Sequence, residues 1–283
     1  MKRYAFRIVN VFAEERLGGN PLAVFEDARG LDEAAMQALA LQFNLSETTF
    51  ILPSETGTAR VRIFTPTFEM PFAGHPTLGT AHVVRALKGG DHVTLEMRAG
   101  FIPVRGAEDR WTLQANAPRT RTVAASRDEL AAMLGLEPPD IGANPLWVDT
   151  GSEQLIVPLA GAAAVRRAQP KAELMSRHAT VALAGAASRS MAYIWTEVAP
   201  NAALARFFFL KQGSVVEDPG TGSACANLGG WLVATGAALP RELAIAQGDA
   251  VGRSCRLGLT VDADKRIFVS GRVIELGRGT IEL

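Results

Sequence analysis

The sequence predicts an α+β fold of two pseudo-symmetric domains, each a curled, mostly antiparallel sheet around a central buried helix. A segment rich in small residues, Glu217 to Trp231, has a counterpart at Glu69 to Leu87. Each reads as a polar turn that leads into a helix without a polar face, and such a helix is buried. Short strand patterns surround both segments, and 283 residues suffice for two medium domains.

The two segments align at one constant offset, about half the length of the chain. The alignment that pairs Glu69 with Glu217 also pairs Pro71 with Pro219, Gly74 with Gly222, and His75 with Ser223. This regularity predicts an internal duplication. We expect an N-terminal domain at 1–118, joined by the C-terminal strand at 277–283, and a C-terminal domain at 119–276.

The first half combines strand patterns with one amphipathic helix. Met36, Leu39, Ala40 and Phe43 recur at helical spacing and predict a helix from Asp32 to Phe43. The buried helix is expected from about Thr77 to Leu87. Strands are predicted at Tyr4 to Phe12, Leu22 to Phe25, Thr48 to Leu52, Ala59 to Phe64, His92 to Arg98, Phe101 to Arg105 and Arg110 to Gln114.

The second half follows a predicted linker, the polar stretch from Asn116 to Thr122. Ser126 and Glu129 form a capping box, which predicts a helix from Ser126 to Leu134. Two further helices are expected at Ala162 to Ala168 and Ala172 to His178. Strands are predicted at Trp147 to Asp149, Gln154 to Pro158, Val181 to Leu183, Ala192 to Val198, Ala205 to Leu210, Leu243 to Gln247, Ser254 to Val261 and Ile267 to Val273.

Composition narrows the class of protein. Hydrophobic residues make up 48% of the chain and charged residues 20%, which is typical of a globular protein. The net charge of 0 gives no electrostatic attraction to nucleic acid or to an anionic membrane. No stretch reads as a signal peptide or a membrane span, so we expect a cytoplasmic protein. Cys225 and Cys255 are expected to be free thiols, and no residue pattern predicts a metal site.

Several motifs together resemble the phenazine-biosynthesis (PhzF-like) family. They are Gly19 to Phe25 (GNPLAVF), Asn44 to Phe50 (NLSETTF), Pro71 to Thr80 (PFAGHPTLGT), Glu217 to Ala224 (EDPGTGSA), Gly252 to Ser254 and Gly277 to Ile281. They occur in the same order over the whole chain. Gly220 stands where the family usually has alanine, a small departure at a position that shapes the backbone.

The resemblance implies a fold similar to diaminopimelate epimerase and a homodimeric, cofactor-free isomerase of a small carboxylate. The best-known family member isomerises trans-2,3-dihydro-3-hydroxyanthranilate. By position, Glu47 matches the acid/base residue, and His75 and Asp218 match the assisting residues. Gly74, Gly222 and Ser223 match the turns that bind the substrate carboxylate, and Asn20 is a weaker candidate for lining the site.

The chemistry of the residues can be argued beside the resemblance. Moving a proton between two carbons needs a group that takes the proton and returns it, and burial raises the pKa of a glutamate from about 4.3 toward neutrality. We expect the helix N-terminus to disfavour the imidazolium form of His75. The structural alternatives are an exposed loop glutamate or a helix-capping glutamate for Glu47, a core histidine for His75, and turn residues for Asp218 and Asn20.

Two other functions remain open from the sequence. A cofactor-free racemase or epimerase with two thiols needs a cysteine at each turn, but Ala73 occupies the first such place and Cys225 lies inside the second helix. A non-catalytic protein could bind small anions at the two helix N-termini, although neither turn is a phosphate-binding loop.

Overall fold

The computed structural model describes residues 1–183 and 186–283. The fold is mixed α/β and consists mostly of strands. The chain divides into two compact units, Met1–Gln114 with Ser270–Leu283 (unit 1) and Ala115–Val269 (unit 2). None of the helices in these described ranges is long and apolar enough to cross a membrane.

Unit 1 contains two helices and a series of short strands. In chain order they are β1 (Arg3–Val11), β2 (Asn20–Phe25), α1 (Glu33–Phe43), β3 (Thr48–Leu52), β4 (Ala59–Phe64), β5 (Glu69–Met70), α2 (Gly74–Lys88), β6 (His92–Met97), β7 (Gly100–Ala107) and β8 (Arg110–Gln114). Unit 2 contains α3 (Arg127–Leu134), α4 (Ala162–Arg167), α5 (Ala172–His178) and α6 (Gly222–Ala234). The strands of unit 2 are β9 (Arg119–Thr122), β10 (Leu146–Asp149), β11 (Glu153–Pro158), β12 (Thr180–Leu183), β13 (Ala186–Ala199), β14 (Ala202–Lys211), β15 (Ser214–Asp218), β16 (Arg241–Gln247), β17 (Cys255–Val261) and the first part of β18 (Ile267–Glu282), whose last part belongs to unit 1.

The strands of unit 1 form a closed ring. β1 pairs antiparallel with β18 and β2, β2 runs parallel to β3, β3 pairs antiparallel with β4, and β4 runs parallel to β6. β6, β7 and β8 follow as an antiparallel meander, and the pairing of β8 with β18 closes the ring. The helix α2 packs against β1, β2, β3, β6, β7 and β8.

Close packing explains why α2 is rich in small residues. A Cβ atom on Gly79 would lie 2.6 Å from Leu22 Cδ2 and 2.9 Å from Val11 Cγ2, well inside van der Waals distance. Residues from Gly74 to Ala81 are all buried, so this helix has no solvent-facing stripe on its first two turns.

Unit 2 repeats much of this order of pairings. β9, β10 and β11 pair antiparallel in turn, β11 runs parallel to β13, β13 pairs antiparallel with β14, and β14 runs parallel to β16, which pairs antiparallel with β17. β12 adds to β13, and β15 adds to β14. The helix α6 packs against β9, β10, β11 and β17, and Cβ atoms on Gly229 and Gly230 would approach Ile267 and Val148 to 2.7 Å.

Most predicted elements are present, and two predictions need correction. Asp32 caps α1 through Ala35 N, and the capping box of Ser126 and Glu129 begins α3. The predicted linker from Asn116 to Thr122 is wrong in its second part, because Arg119–Thr122 forms β9 against β10. The first buried helix begins at Gly74 rather than near Thr77, so His75 and Pro76 lie inside its first turn.

Candidate active site

The first cluster of candidate residues lies where α2 begins in unit 1. The cap residue Ala73 is extended and has no polar side chain, so no side chain caps the amides of the first turn. Unpaired amides at a helix start carry partial positive charge and attract anions. Gly74 and His75 are both buried at this point.

His75 is a buried, neutral imidazole. The residue is 5% exposed, and burial lowers the pKa of its ring to about 3, while a hydrogen bond with the Pro21 backbone acts weakly in the opposite direction. The ring is therefore neutral at physiological pH, and burial is the largest cause of its low pKa. His75 Nε2 is buried and, among the described residues, has no hydrogen-bond partner.

Glu47 and Asn20 lie beside this ring. Glu47 Oε2 and Asn20 Nδ2 are each 3.5 Å from His75 Nδ1. The loop before β3 carries Glu47, and the parallel pairing of Ala23 with Thr48 brings it next to the start of β2, where Asn20 is fully buried. A carboxylate at this distance favours a protonated ring, but the enclosed position of His75 opposes that charge more strongly.

The Glu47 side chain is 16% exposed, so its carboxylate lies in a largely dry environment. It follows Asn44, a left-handed residue that ends α1, and it precedes the first paired residue of β3. The exposed-loop alternative for Glu47 is therefore not what the structure contains. The structure brings Glu47, His75 and Asn20 together in unit 1.

The second cluster lies at the start of α6 in unit 2. Asp218 ends β15, and its carboxylate accepts a hydrogen bond from the Thr221 hydroxyl. Gln247 Nε2 donates to Asp218 O at 2.9 Å and to Thr221 Oγ1 at 3.0 Å, which fixes the turn. Asp218 therefore lies in the turn before α6, and Gly222 begins the helix.

Ser223 is held by side chains that sequence reasoning did not single out. Gln154 Nε2 donates to Ser223 Oγ at 3.0 Å, and Gln154 Oε1 accepts from Asn227 Nδ2 at 2.8 Å. Gln154 is 2% exposed and Asn227 is fully buried. The available signal was the single amide side chain of Asn227 within an otherwise small and apolar helix.

An arginine–glutamate pair supports the turn before each helix. Arg62 Nη2 lies 2.6 Å from Glu69 Oε2, and Arg206 Nη2 lies 2.7 Å from Glu217 Oε2. Each guanidinium also lies over the ring two residues later, at 5.0 Å for Phe64 and 4.7 Å for Phe208, so the two units contain the same arrangement.

The two thiols are poorly suited to proton abstraction. Burial raises the pKa of the Cys225 thiol far above its ordinary value, and burial together with the Asp218 carboxylate does the same for Cys255. Both thiols therefore remain protonated at neutral pH. This argues against the two-thiol racemase considered from the sequence.

The described residues contain no group of three or more histidine, cysteine, aspartate or glutamate side chains placed to hold a metal ion. An open cavity of about 470 Å³ is lined by Ala172, Glu173, Ser176, Arg177, Leu210 and Gly213, none of which is a candidate residue. Because this cavity is open and lined by exposed α5 side chains, we give more weight to the buried clusters.

Known proteins are similar to this chain over nearly its whole length. The chain matches the family described as phenazine biosynthesis-like protein over residues 9–279. An uncharacterized isomerase of Pasteurella multocida is 40% identical over 283 residues, covering 98% of this chain and 94% of that protein. A trans-2,3-dihydro-3-hydroxyanthranilate isomerase of Pseudomonas chlororaphis is 35% identical over 290 residues, covering 98% of both chains. The crystal structure of a PhzF-family phenazine biosynthesis protein from Bacillus anthracis has a TM-score of 0.86 at 25% identity, over 100% of each chain.

Proposed function

Because this chain belongs to the phenazine biosynthesis-like protein family and is an isomerase, we propose that it moves a proton within a small carboxylate substrate without a cofactor. Glu47 is the group that takes the proton from one carbon and returns it to another. The observation that carries this proposal is the Glu47 carboxylate, 16% exposed and 3.5 Å from a buried, neutral His75.

The roles follow from the protonation states of the neighbours. His75 stays neutral at physiological pH, so it competes poorly as a proton carrier and serves as a hydrogen-bonding partner of the substrate or of Glu47. Asn20 borders the same ring and supports its orientation. A carboxylate that alternates between acid and base can return a proton to the same face of a substrate.

We assign the second cluster to substrate binding. The amides at the start of α6 and the Ser223 hydroxyl are suited to a carboxylate, since both are hydrogen-bond donors. Asp218 lies in the turn that leads into this helix start, where its carboxylate accepts a hydrogen bond from the Thr221 hydroxyl. The amides at Gly74 are proposed to contribute in the same way in unit 1.

The repeat predicted from the sequence supports different roles for the two units, with acid/base chemistry in unit 1 and substrate binding in unit 2. Thr48 pairs with Phe64 and Phe64 pairs with Glu69 in unit 1, while Ala192 pairs with Phe208 and Phe208 pairs with Glu217 in unit 2. We propose that the two units are duplicated domains. Met191 then occupies the position of Glu47, so the second copy carries no carboxylate there.

Solvent isotope exchange tests the proposed reaction. The substrates are trans-2,3-dihydro-3-hydroxyanthranilate, named for the Pseudomonas relatives, and a set of small unsaturated and amino acids, each incubated in D₂O. Mass spectrometry should detect deuterium in product formed by the wild type, and Glu47→Gln should lower that rate by about 10²- to 10⁴-fold.

The matched control is Glu55→Gln, which makes the same chemical change at an exposed residue of unit 1. We expect this variant to exchange at the wild-type rate. Exchange by Glu47→Gln at the wild-type rate would move the acid/base role to another residue, and failure of every substrate in the wild type would count against the proposed reaction.

A further inference from the structure

A buried network of amides and hydroxyls connects α6 to the turn between β10 and β11. Asn227 Oδ1 accepts from the backbone nitrogen of Thr150 at 2.9 Å and from Thr150 Oγ1 at 2.7 Å. Asn227 Nδ2 donates to the Ser152 carbonyl and to Gln154 Oε1, both at 2.8 Å. Gln154 Nε2 then donates to Ser223 Oγ at 3.0 Å. All four hydrogen-bonding positions of the Asn227 amide are occupied.

The polarity of this network is set by two backbone groups. The Thr150 amide can only donate and the Ser152 carbonyl can only accept, so the Asn227 amide has one possible orientation. Asn227 therefore presents a donor to Gln154, and Gln154 must turn its oxygen toward Asn227. Gln154 Nε2 is then the atom that faces Ser223. Because this nitrogen can only donate, Ser223 Oγ accepts the hydrogen bond.

We infer that Gln154 and Asn227 are positioning residues that leave the hydroxyl hydrogen of Ser223 free to donate to the substrate carboxylate. This inference rests on the proposed function, which places a carboxylate at the start of α6. A serine that already accepts from Gln154 uses its own hydrogen for a different partner, and a carboxylate has acceptors only. Ser223 is thus set to recognise an anionic acceptor rather than a donor.

The position of Asn227 supports a specific role beyond packing. The alignment of the two repeated segments places Gly79 of α2 at the equivalent position, where a small residue satisfies the packing alone. A fully buried amide is costly unless all its hydrogen bonds are made. Here each is made, and the series of bonds ends at the helix start on Ser223, which is partly exposed.

Neutron diffraction tests the polarity directly and needs no substrate. In crystals exchanged into D₂O, we expect a deuterium atom on Gln154 Nε2 pointing to Ser223 Oγ, and the Ser223 deuterium pointing away from Gln154. A Ser223 deuterium on the line to Gln154 would overturn the inference. This result stands whether or not the proposed reaction is found.

Steady-state kinetics test the consequence, using an acid that the wild type exchanges in D₂O. Ser223→Ala should raise KM about 10- to 100-fold with kcat less affected, because it removes a hydrogen bond to a charged group. Gln154→Glu should raise KM to at least the same extent, since a carboxylate at this place accepts the Ser223 hydrogen and repels the substrate. The isosteric control Gln154→Met removes the donor without adding charge and should have a smaller effect.

A double-mutant cycle separates positioning from a general structural role. If Gln154 acts through Ser223, adding Gln154→Met to Ser223→Ala should change KM by less than about twofold. Effects on KM that multiply in full would refute the coupling, as would a wild-type KM in Gln154→Glu. Should the wild type exchange no acid, the proposed reaction fails and the neutron result alone decides the inference.

Discussion

Replacement of His75 by glutamine should make the protein less sensitive to acid. The imidazole of an unfolded chain binds a proton with a pKa near 6.5, whereas burial lowers the pKa of the folded ring to about 3. Below pH 6.5 the unfolded state therefore takes up a proton that the folded state does not. The stability contributed by the neutral ring is complete above pH 6.5 and is lost progressively as the pH falls toward 3.

The size of the effect at pH 5 follows from the unfolded chain. The pH then lies 1.5 units below the unfolded pKa, and each unit corresponds to about 1.36 kcal/mol, so the folded state loses about 2 kcal/mol relative to pH 8. A folded pKa one unit higher would leave this figure almost unchanged, because the folded ring would still be neutral at pH 5. His75→Gln cannot take up this proton in either state.

Urea unfolding followed by circular dichroism at pH 8 and pH 5 measures the difference. The comparison at pH 8 gives the cost of the substitution itself, and the change between the two pH values isolates the titration. His82, whose pKa burial also lowers, is present in both proteins and so contributes equally. We expect the wild type to lose about 2 kcal/mol more than His75→Gln on acidification. An equal loss in both proteins would refute the assignment of a buried, neutral His75.

Three further predictions concern stability and the reactive groups. Gly248→Ala should destabilise unit 2 by more than about 2 kcal/mol in urea unfolding, because a Cβ atom there would lie far inside van der Waals distance of the Arg253 and Pro219 carbonyl oxygens. Gly213→Ala, equally left-handed but in open space, should cost only about 1 kcal/mol, and equal costs would contradict this reasoning. Arg206→Met should cost about 3–5 kcal/mol by leaving Glu217 buried without its partner, against less than about 1 kcal/mol for Arg177→Met in an exposed pair, and a loss below 1 kcal/mol at Arg206 would refute the buried pair. Cys225→Ala should leave the rate of deuterium exchange within about threefold of wild type, since the buried thiol stays protonated, and a loss of 10²-fold or more would assign it an acid/base role.

Local sequence signals predicted the helices well because their causes are local. The capping bonds of Asp32 and Ser126 each span three residues and can be read directly from the chain. The predicted linker failed for the opposite reason. The residues of β9 are all exposed and polar, so they have no hydrophobic alternation, and only the distant pairing with β10 makes them a strand.

The residues of the candidate site show the same contrast between local signals and contacts with distant parts of the chain. Glu47 and Asn20 were identified from motifs and lie beside His75, although their contacts depend on the parallel pairing of β2 with β3. Gln154 was not identified, because it lies in an apolar strand and its hydrogen bonds with Ser223 and Asn227 depend on the packing of α6 against that strand. A glutamine in such a strand has no local pattern that distinguishes a structural amide from a positioning one.

Burial is the common cause that limits which group can carry a proton. It keeps the His75 ring neutral and it keeps the thiols of Cys225 and Cys255 protonated. A neutral ring whose pKa lies near 3 binds a proton too weakly to act as the base at neutral pH. A thiol that already carries its proton cannot act as the base either. Glu47 differs because its side chain is 16% exposed, and this is why we propose it as the group that exchanges a proton with the substrate. We therefore propose that the same packing that makes these helices apolar leaves proton transfer to Glu47, at the end of a loop.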